Sequence, residues 1–251
     1  MKRQPFGNTD LVVSPFGIGC ARIGGVFQGD TRGHLDLLAA ARAAGINFFD
    51  TADMYSQGES EKLVGRAFRG VRDRVIIATK AGYCLPGRRR LLARLKPLLR
   101  PLVRLAKIRR DRLPAAVRGT IVQDFSPSYL KRAVEASLRR LRTDYIDLLQ
   151  LHSPPLEVVE RGEWQSALEE LKRRGQIRYY GISCDSVDVG LAALRYPGVS
   201  SVQFLLNLLE TGAAETLAPR LADAKIAGVA RECLANGLLV KERHEIELAK
   251  Y

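Results

Sequence analysis

The chain has 251 residues, 46% hydrophobic and 27% charged, enough to bury a sizeable core and incompatible with general disorder. Lys and Arg number 40 against 27 Asp and Glu, a formal +13, yet residues 84–120 alone hold twelve bases and one acid, Asp111, leaving 28 bases and 26 acids elsewhere. Basic character therefore belongs to one insertion, and no apolar run approaches the ~20 residues of a membrane-spanning helix.

The first ten residues carry two cations but no apolar stretch or small-residue cleavage site, so no secretory signal is expected. Residues 3–6 and 11–13, with Gly7-Asn8 between them, predict an N-terminal hairpin. Short apolar runs then alternate with segments of helical period. Strands are predicted at 16–20, 46–51, 75–80, 145–152, 177–183, 202–207 and 228–231, and helices at 34–44, 59–68, 127–141, 163–174, 187–194 and 213–224. Gly45 and Gly175 stand where helices stop, and Ser126-Pro127 reads as a cap followed by proline at the first helical position. An α/β fold with a parallel sheet follows. A TIM-type (β/α)8 barrel explains the spacing better than an open sheet, because Gly17-x-Gly19 is not continued into the phosphate fingerprint an open sheet would carry. The eighth βα unit has no counterpart, so the barrel is expected to lack it. Residues 1–251 are read as one domain, with 84–120 as an insertion after the third barrel strand.

Cys20, Cys84, Cys184 and Cys233 are far apart and the three histidines are scattered. No zinc framework is expected, and reduced thiols suit a cytoplasmic protein.

Three apolar runs end in an ionisable residue: Asp50, Lys80 and His152. In a parallel barrel the carboxyl ends of all strands share one rim, so a carboxylate, an ammonium and an imidazole converge there. Any one alone reads equally well as a solvated strand end. Tyr55, five residues beyond Asp50, can turn its hydroxyl back over that rim. An adjacent Lys80 is expected to lower the phenol pKa from about 10, with Asp50 holding Lys80 and neutral His152 hydrogen-bonding a carbonyl oxygen. These roles describe protonation of a carbonyl oxygen while its carbon is attacked.

The stretch 45–65, G-I-N-F-F-D-T-A-D-M-Y-S-Q-G-E-S-E-K-L-V-G, with A-T-K at 78–80 and L-L-Q-L-H at 148–152, resembles the signature blocks of the aldo-keto reductases. That resemblance implies a (β/α)8 barrel reducing aldehydes or ketones with NADPH, or NADH, and places the family's catalytic four on Asp50, Tyr55, Lys80 and His152. It further implies cofactor contacts from Ser183, Cys184, Gln203 and Arg231. Cys184 stands where the family has Asn, and Arg231 where it has an aromatic residue that stacks on the nicotinamide; a guanidinium plane can also stack. No residue matches the family's site for the adenosine half, so weakened cofactor binding is expected.

Two other functions use the same residues differently. Lys80 could act as a Schiff-base nucleophile in a lyase, or the shortened barrel could serve as a binding or regulatory module through its insertion. Within 84–120, Leu91, Leu95, Leu98, Leu102 and Leu105 share a helical face with arginines between them, but Pro97 and Pro101 interrupt it. A solvated cover for the barrel mouth is favoured over weak peripheral membrane contact. With no aromatic platform in that stretch, a nucleic-acid partner is not expected. The expected partner is a small carbonyl compound, and the oligomeric state is left open.

Overall fold

The computed structural model describes residues 1–25, 30–84 and 122–241. The predicted hairpin is β1 (Gln4–Pro5) paired antiparallel with β2 (Val12–Val13). The barrel strands are β3 (Gly17–Gly19), β4 (Phe48–Asp50), β5 (Ile76–Ala81), β8 (Ile146–His152), β9 (Ile177–Ser183), β10 (Val199–Leu205) and β11 (Ala227–Arg231). They form one seven-stranded sheet in the order β11-β10-β9-β8-β5-β4-β3, every pair parallel. Apart from the crossing of the basic insertion, neighbours in the sheet are neighbours in sequence, as successive βα units require.

The helices are α1 (Thr31–Ala43), α2 (Glu59–Ala67), α3 (Pro127–Leu141), α4 (Leu156–Arg161), α5 (Gln165–Arg173), α6 (Val187–Ala193) and α7 (Gly212–Asp223). The helix predicted from 34 begins earlier because Asp30 caps it, accepting from the Gly33 amide at 2.7 Å. The expected cap at Ser126 holds α3, accepting from Tyr129 N. α4 was not predicted, and β10 begins three residues before the predicted 202, since Ser200 and Ser201 interrupt the apolar signal although both are buried.

Strand alternation sorts the sheet into two faces. Phe49, Ile77, Leu149, Leu151, Ile182 and Val202 point outward into the main core against the helices. Phe48, Ile76, Ala78 and Leu148 point inward, where Phe6, Leu11 and Val13 of the hairpin close the barrel floor; the rings of Phe6 and Phe48 lie 5.7 Å apart. Steps of two residues along the same inward rows lead to Asp50, Lys80 and His152. The rows thus begin as an apolar plug and end as a polar rim.

The ring is nearly closed. Among the described residues, β3 and β11 have no strand on their outer sides, and between them runs a cleft of about 1130 Å³ flanked by Phe16, Gly17, Val229 and Ala230. This is the gap expected from seven predicted strands. The insertion expected over the barrel mouth lies outside the described residues except for Cys84, as does its proposed membrane contact. Its flanks pair as a short antiparallel ladder, β6 (Tyr83–Cys84) with β7 (Val122–Gln123), which the sequence reading missed.

Candidate active site

Asp50, Lys80 and His152 stand at the carboxyl ends of β4, β5 and β8, as the sequence predicts. Lys80 is 1% exposed. Its ammonium donates to both Asp50 oxygens at 2.6 Å and to the Thr51 carbonyl at 3.0 Å. Burial pulls its pKa down, but the Asp50 carboxylate and the Tyr55 phenol outweigh that, so the net shift is upward and Lys80 stays charged.

Tyr55 follows a tight turn in which its amide bonds the Ala52 carbonyl at 3.1 Å. Ser56, Gln57 and Gly58 then take left-handed conformations at φ 51°, 59° and 84°, reversing the chain before α2 starts. Such a run is costly for residues other than glycine. The Lys80 Nζ lies 5.2 Å from the Tyr55 ring centroid, and the Tyr55 and His152 rings meet edge to face at 5.7 Å.

The expected lowering of the Tyr55 pKa is corrected. Burial raises it more than the Lys80 ammonium lowers it, and the Asp50 carboxylate adds to the rise. The phenol is therefore protonated in the resting site. The expectation for His152 is matched: burial, then the charges of Lys80 and Arg231, pull its pKa down to about 3, so the ring is neutral near pH 7. Its Nδ1 is buried without a hydrogen-bond partner among the described residues.

The other four predicted residues gather on the same rim from β9, β10 and β11. Ser183 Oγ donates to Gln203 Oε1 at 3.0 Å, and Gln203 Nε2 donates to Asp50 Oδ2 at 3.0 Å. A primary amide has two N–H groups, so Gln203 keeps one for a ligand. Cys184 is 1% exposed, and its thiol is turned onto the Gln203 backbone carbonyl at 3.4 Å; burial pushes its pKa up to about 11. Arg231 is held by Asp185, by Glu232 at 2.7 Å and by the Cys184 carbonyl at 3.2 Å, while its buried Nε has no partner among the described residues. Asp50, Gln203 and Arg231 line the upper end of the cleft; Tyr55 and His152 do not. The site thus has two sides, one with an amide and a guanidinium, the other with a phenol and an imidazole.

Sequence reasoning missed Tyr83, whose ring packs edge-on against His152 at 4.7 Å. The only signal was its place three residues beyond Lys80, immediately before the insertion.

A parallel βα barrel with a carboxylate, ammonium, phenol and imidazole on its carboxyl rim defines a barrel site equipped for acid–base chemistry. The Aldo/keto reductase family model matches residues 15–250, and the chain belongs to that family of NAD(P)H-dependent oxidoreductases. The NADH-specific methylglyoxal reductase of Escherichia coli is 30% identical over 95% of this chain and 69% of its own. The holo form of aldo-keto reductase AKR11C1 from Bacillus halodurans superposes with a TM-score of 0.78 at 33% identity, over 98% of this chain and 70% of its own. An aldo/keto reductase from Klebsiella pneumoniae, solved in complex with NADP and acetate, has a TM-score of 0.70 at 25% identity, over 94% of this chain and 70% of its own. The chain spans about two thirds of the length of the curated relatives it matches.

Proposed function

We propose that the chain reduces a small aldehyde or ketone to the alcohol, with Tyr55 as the general acid. The observation that carries this reading is the convergence of Tyr55, Lys80, Asp50 and His152 from three strands and one loop. Tyr55 holds its proton in the resting site and can release it to a carbonyl oxygen that gains negative charge. Lys80, fixed by Asp50 and Thr51, stabilises the phenolate left behind, so its field acts most strongly when the proton has moved. Neutral His152 can donate a hydrogen bond to the same oxygen without carrying a charge of its own.

The reductant this reading requires is NADPH, or NADH, whose nicotinamide supplies the hydride when bound. The residues present fit that half of the molecule. Gln203, with its remaining N–H, and Ser183 can hold the carboxamide, and the Arg231 plane lies on the same side with an unpartnered Nε. Cys184 acts through Arg231, which its backbone carbonyl holds at 3.2 Å, because its thiol is engaged with the Gln203 carbonyl.

A Schiff-base reaction at Lys80 needs a neutral amine. Three acceptors around the ammonium and its raised pKa oppose that, which favours the reductase. Loss of the cofactor absorbance with a panel of small aldehydes tests the proposal. The expected result is turnover by wild type and its loss, by about 100-fold or more, in Tyr55→Phe, the scale of general-acid catalysis. Equal turnover by both would refute the role of Tyr55, and borohydride trapping of a Lys80 adduct would favour the lyase.

A further inference from the structure

Behind Lys80, α2 and α3 enclose a second polar cluster that the proposed reaction does not use. Glu61, fully buried, accepts from Thr79 Oγ1 at 2.7 Å and from the Arg140 guanidinium. Asp53 lies beside it, its amide bonded to the Lys80 carbonyl at 3.1 Å. One Asp53 oxygen, Oδ1, is buried without a hydrogen-bond partner among the described residues, while the other is 3.3 Å from the Tyr129 hydroxyl. The same hydroxyl is 2.9 Å from the Tyr83 carbonyl.

A phenol has one proton, and here it has two acceptors. Tyr83 carries the ring that packs on His152, so the choice between those acceptors reaches the rim. The other restraints on this ladder, Asp124 N to the Gly82 carbonyl at 2.8 Å and Gln123 Nε2 to the Ser153 carbonyl at 2.8 Å, are independent of that choice.

We propose that Tyr129 and Asp53 are positioning residues for Tyr83, whose ring packs on His152 at the phenol and imidazole side of the rim. When Asp53 holds its own proton it donates to the Tyr129 oxygen, and Tyr129 donates onward to the Tyr83 carbonyl. When Asp53 is ionised, Tyr129 donates back to it and Tyr83 is released. The groups that face Asp53 set where the exchange falls. Burial and the Glu61 carboxylate on α2 raise its pKa; Arg140 and the Tyr129 hydroxyl on α3, and the Met54 amide, lower it; the net result is a carboxyl pushed up to about 8. The Tyr129 phenol is itself driven far upward by burial, Asp53 and Cys84, so it remains a donor throughout.

The inference rests on the reductase reading for its kinetic consequence but not for its structural one, and two measurements separate them. In the whole chain, the 13C resonance of the Tyr83 carbonyl should titrate with a midpoint near pH 8 in wild type and stay flat in Asp53→Asn and in Tyr129→Phe. In turnover, the aldehyde KM of wild type should rise about two- to tenfold above that midpoint, the worth of one hydrogen bond, with kcat little changed. Asp53→Asn should keep a low KM at every pH, and Tyr129→Phe a high one. A Tyr83 carbonyl that does not titrate, or that titrates alike in all three proteins, overturns the inference whether or not the chain turns over. So does a titration accompanied by a KM that ignores both pH and Tyr129. A normal titration in a chain that reduces no carbonyl would leave the positioning device intact and refute the reductase.

Discussion

At the scale of single residues the site is governed by what burial does to charge. Lys80 survives inside the barrel because Asp50 and Thr51 surround its ammonium. Replacing it by Met strands the Asp50 carboxylate, a loss of about 3–5 kcal/mol for breaking a buried pair. Urea unfolding should show Lys80→Met well below wild type and the double variant Lys80→Met/Asp50→Asn partly recovered; equal midpoints for all three would mean the pair carries no net stability. His152 and Asp53 make opposite contributions with pH. The folded imidazole titrates at about 3 and an unfolded one near 6.5, so its contribution is complete above 6.5 and is lost as pH falls towards 3. The folded Asp53 carboxyl titrates at about 8 against 3.8 unfolded, so its contribution is complete below 3.8 and is lost as pH rises towards 8. Thermal melts should therefore fall in acid for wild type and less so for His152→Asn, while the decline between pH 6.5 and 8 should shrink in Asp53→Asn.

At the scale of elements, close helix packing holds the site from behind. A Cβ added to Gly65 of α2 would stand 2.1 Å from the Leu141 carbonyl oxygen at the end of α3. That contact is with backbone and cannot be relieved by a rotamer, so Gly65→Ala should cost about 1–3 kcal/mol. It should also disturb the Glu61–Arg140 contact between the same two helices, and the predicted observation is a lower melting temperature with weaker turnover. An unchanged melt would show that α2 and α3 can part without loss. Most elements of this kind were legible in the sequence, because inward and outward rows, caps and strand-end charges are local patterns. Asp50, Lys80 and His152 announced themselves by ending apolar runs, and Ser183 and Gln203 through family resemblance. What was not legible depends on the balance of opposing terms or on partners far away in the chain. The direction of the Tyr55 shift is a contest between burial and Lys80 that no spacing reveals. The turning of the Cys184 thiol onto Gln203 and the joining of Asp53 to Tyr83 through Tyr129 require the packed helices to exist first.

At the scale of the whole molecule the outer strands of the described sheet, β3 and β11, set the main physical liability. β3 and β11 each present an unpaired side to the cleft among the described residues, and free strand sides recruit other strands unless charge or a cover prevents it. Phe16 is 68% exposed beside β3 and Leu234 is 56% exposed beyond β11, and both line the opening, where the charged residues Lys225, Arg231 and Glu232 all lie on or beside β11 rather than β3. Apolar side chains flanking open backbone edges favour association between copies of the chain, and the formal +13 opposes it only at ionic strengths where charges on separate molecules still interact. Sedimentation of the intact chain should therefore show association that grows with concentration and with added salt. Introducing charge at the lips, as Phe16→Lys with Leu234→Lys, should restore a single monomeric species without lowering the melting temperature, since both side chains are solvated in the monomer. If wild type and the double variant sediment identically at every salt concentration, the open edges are not where copies meet.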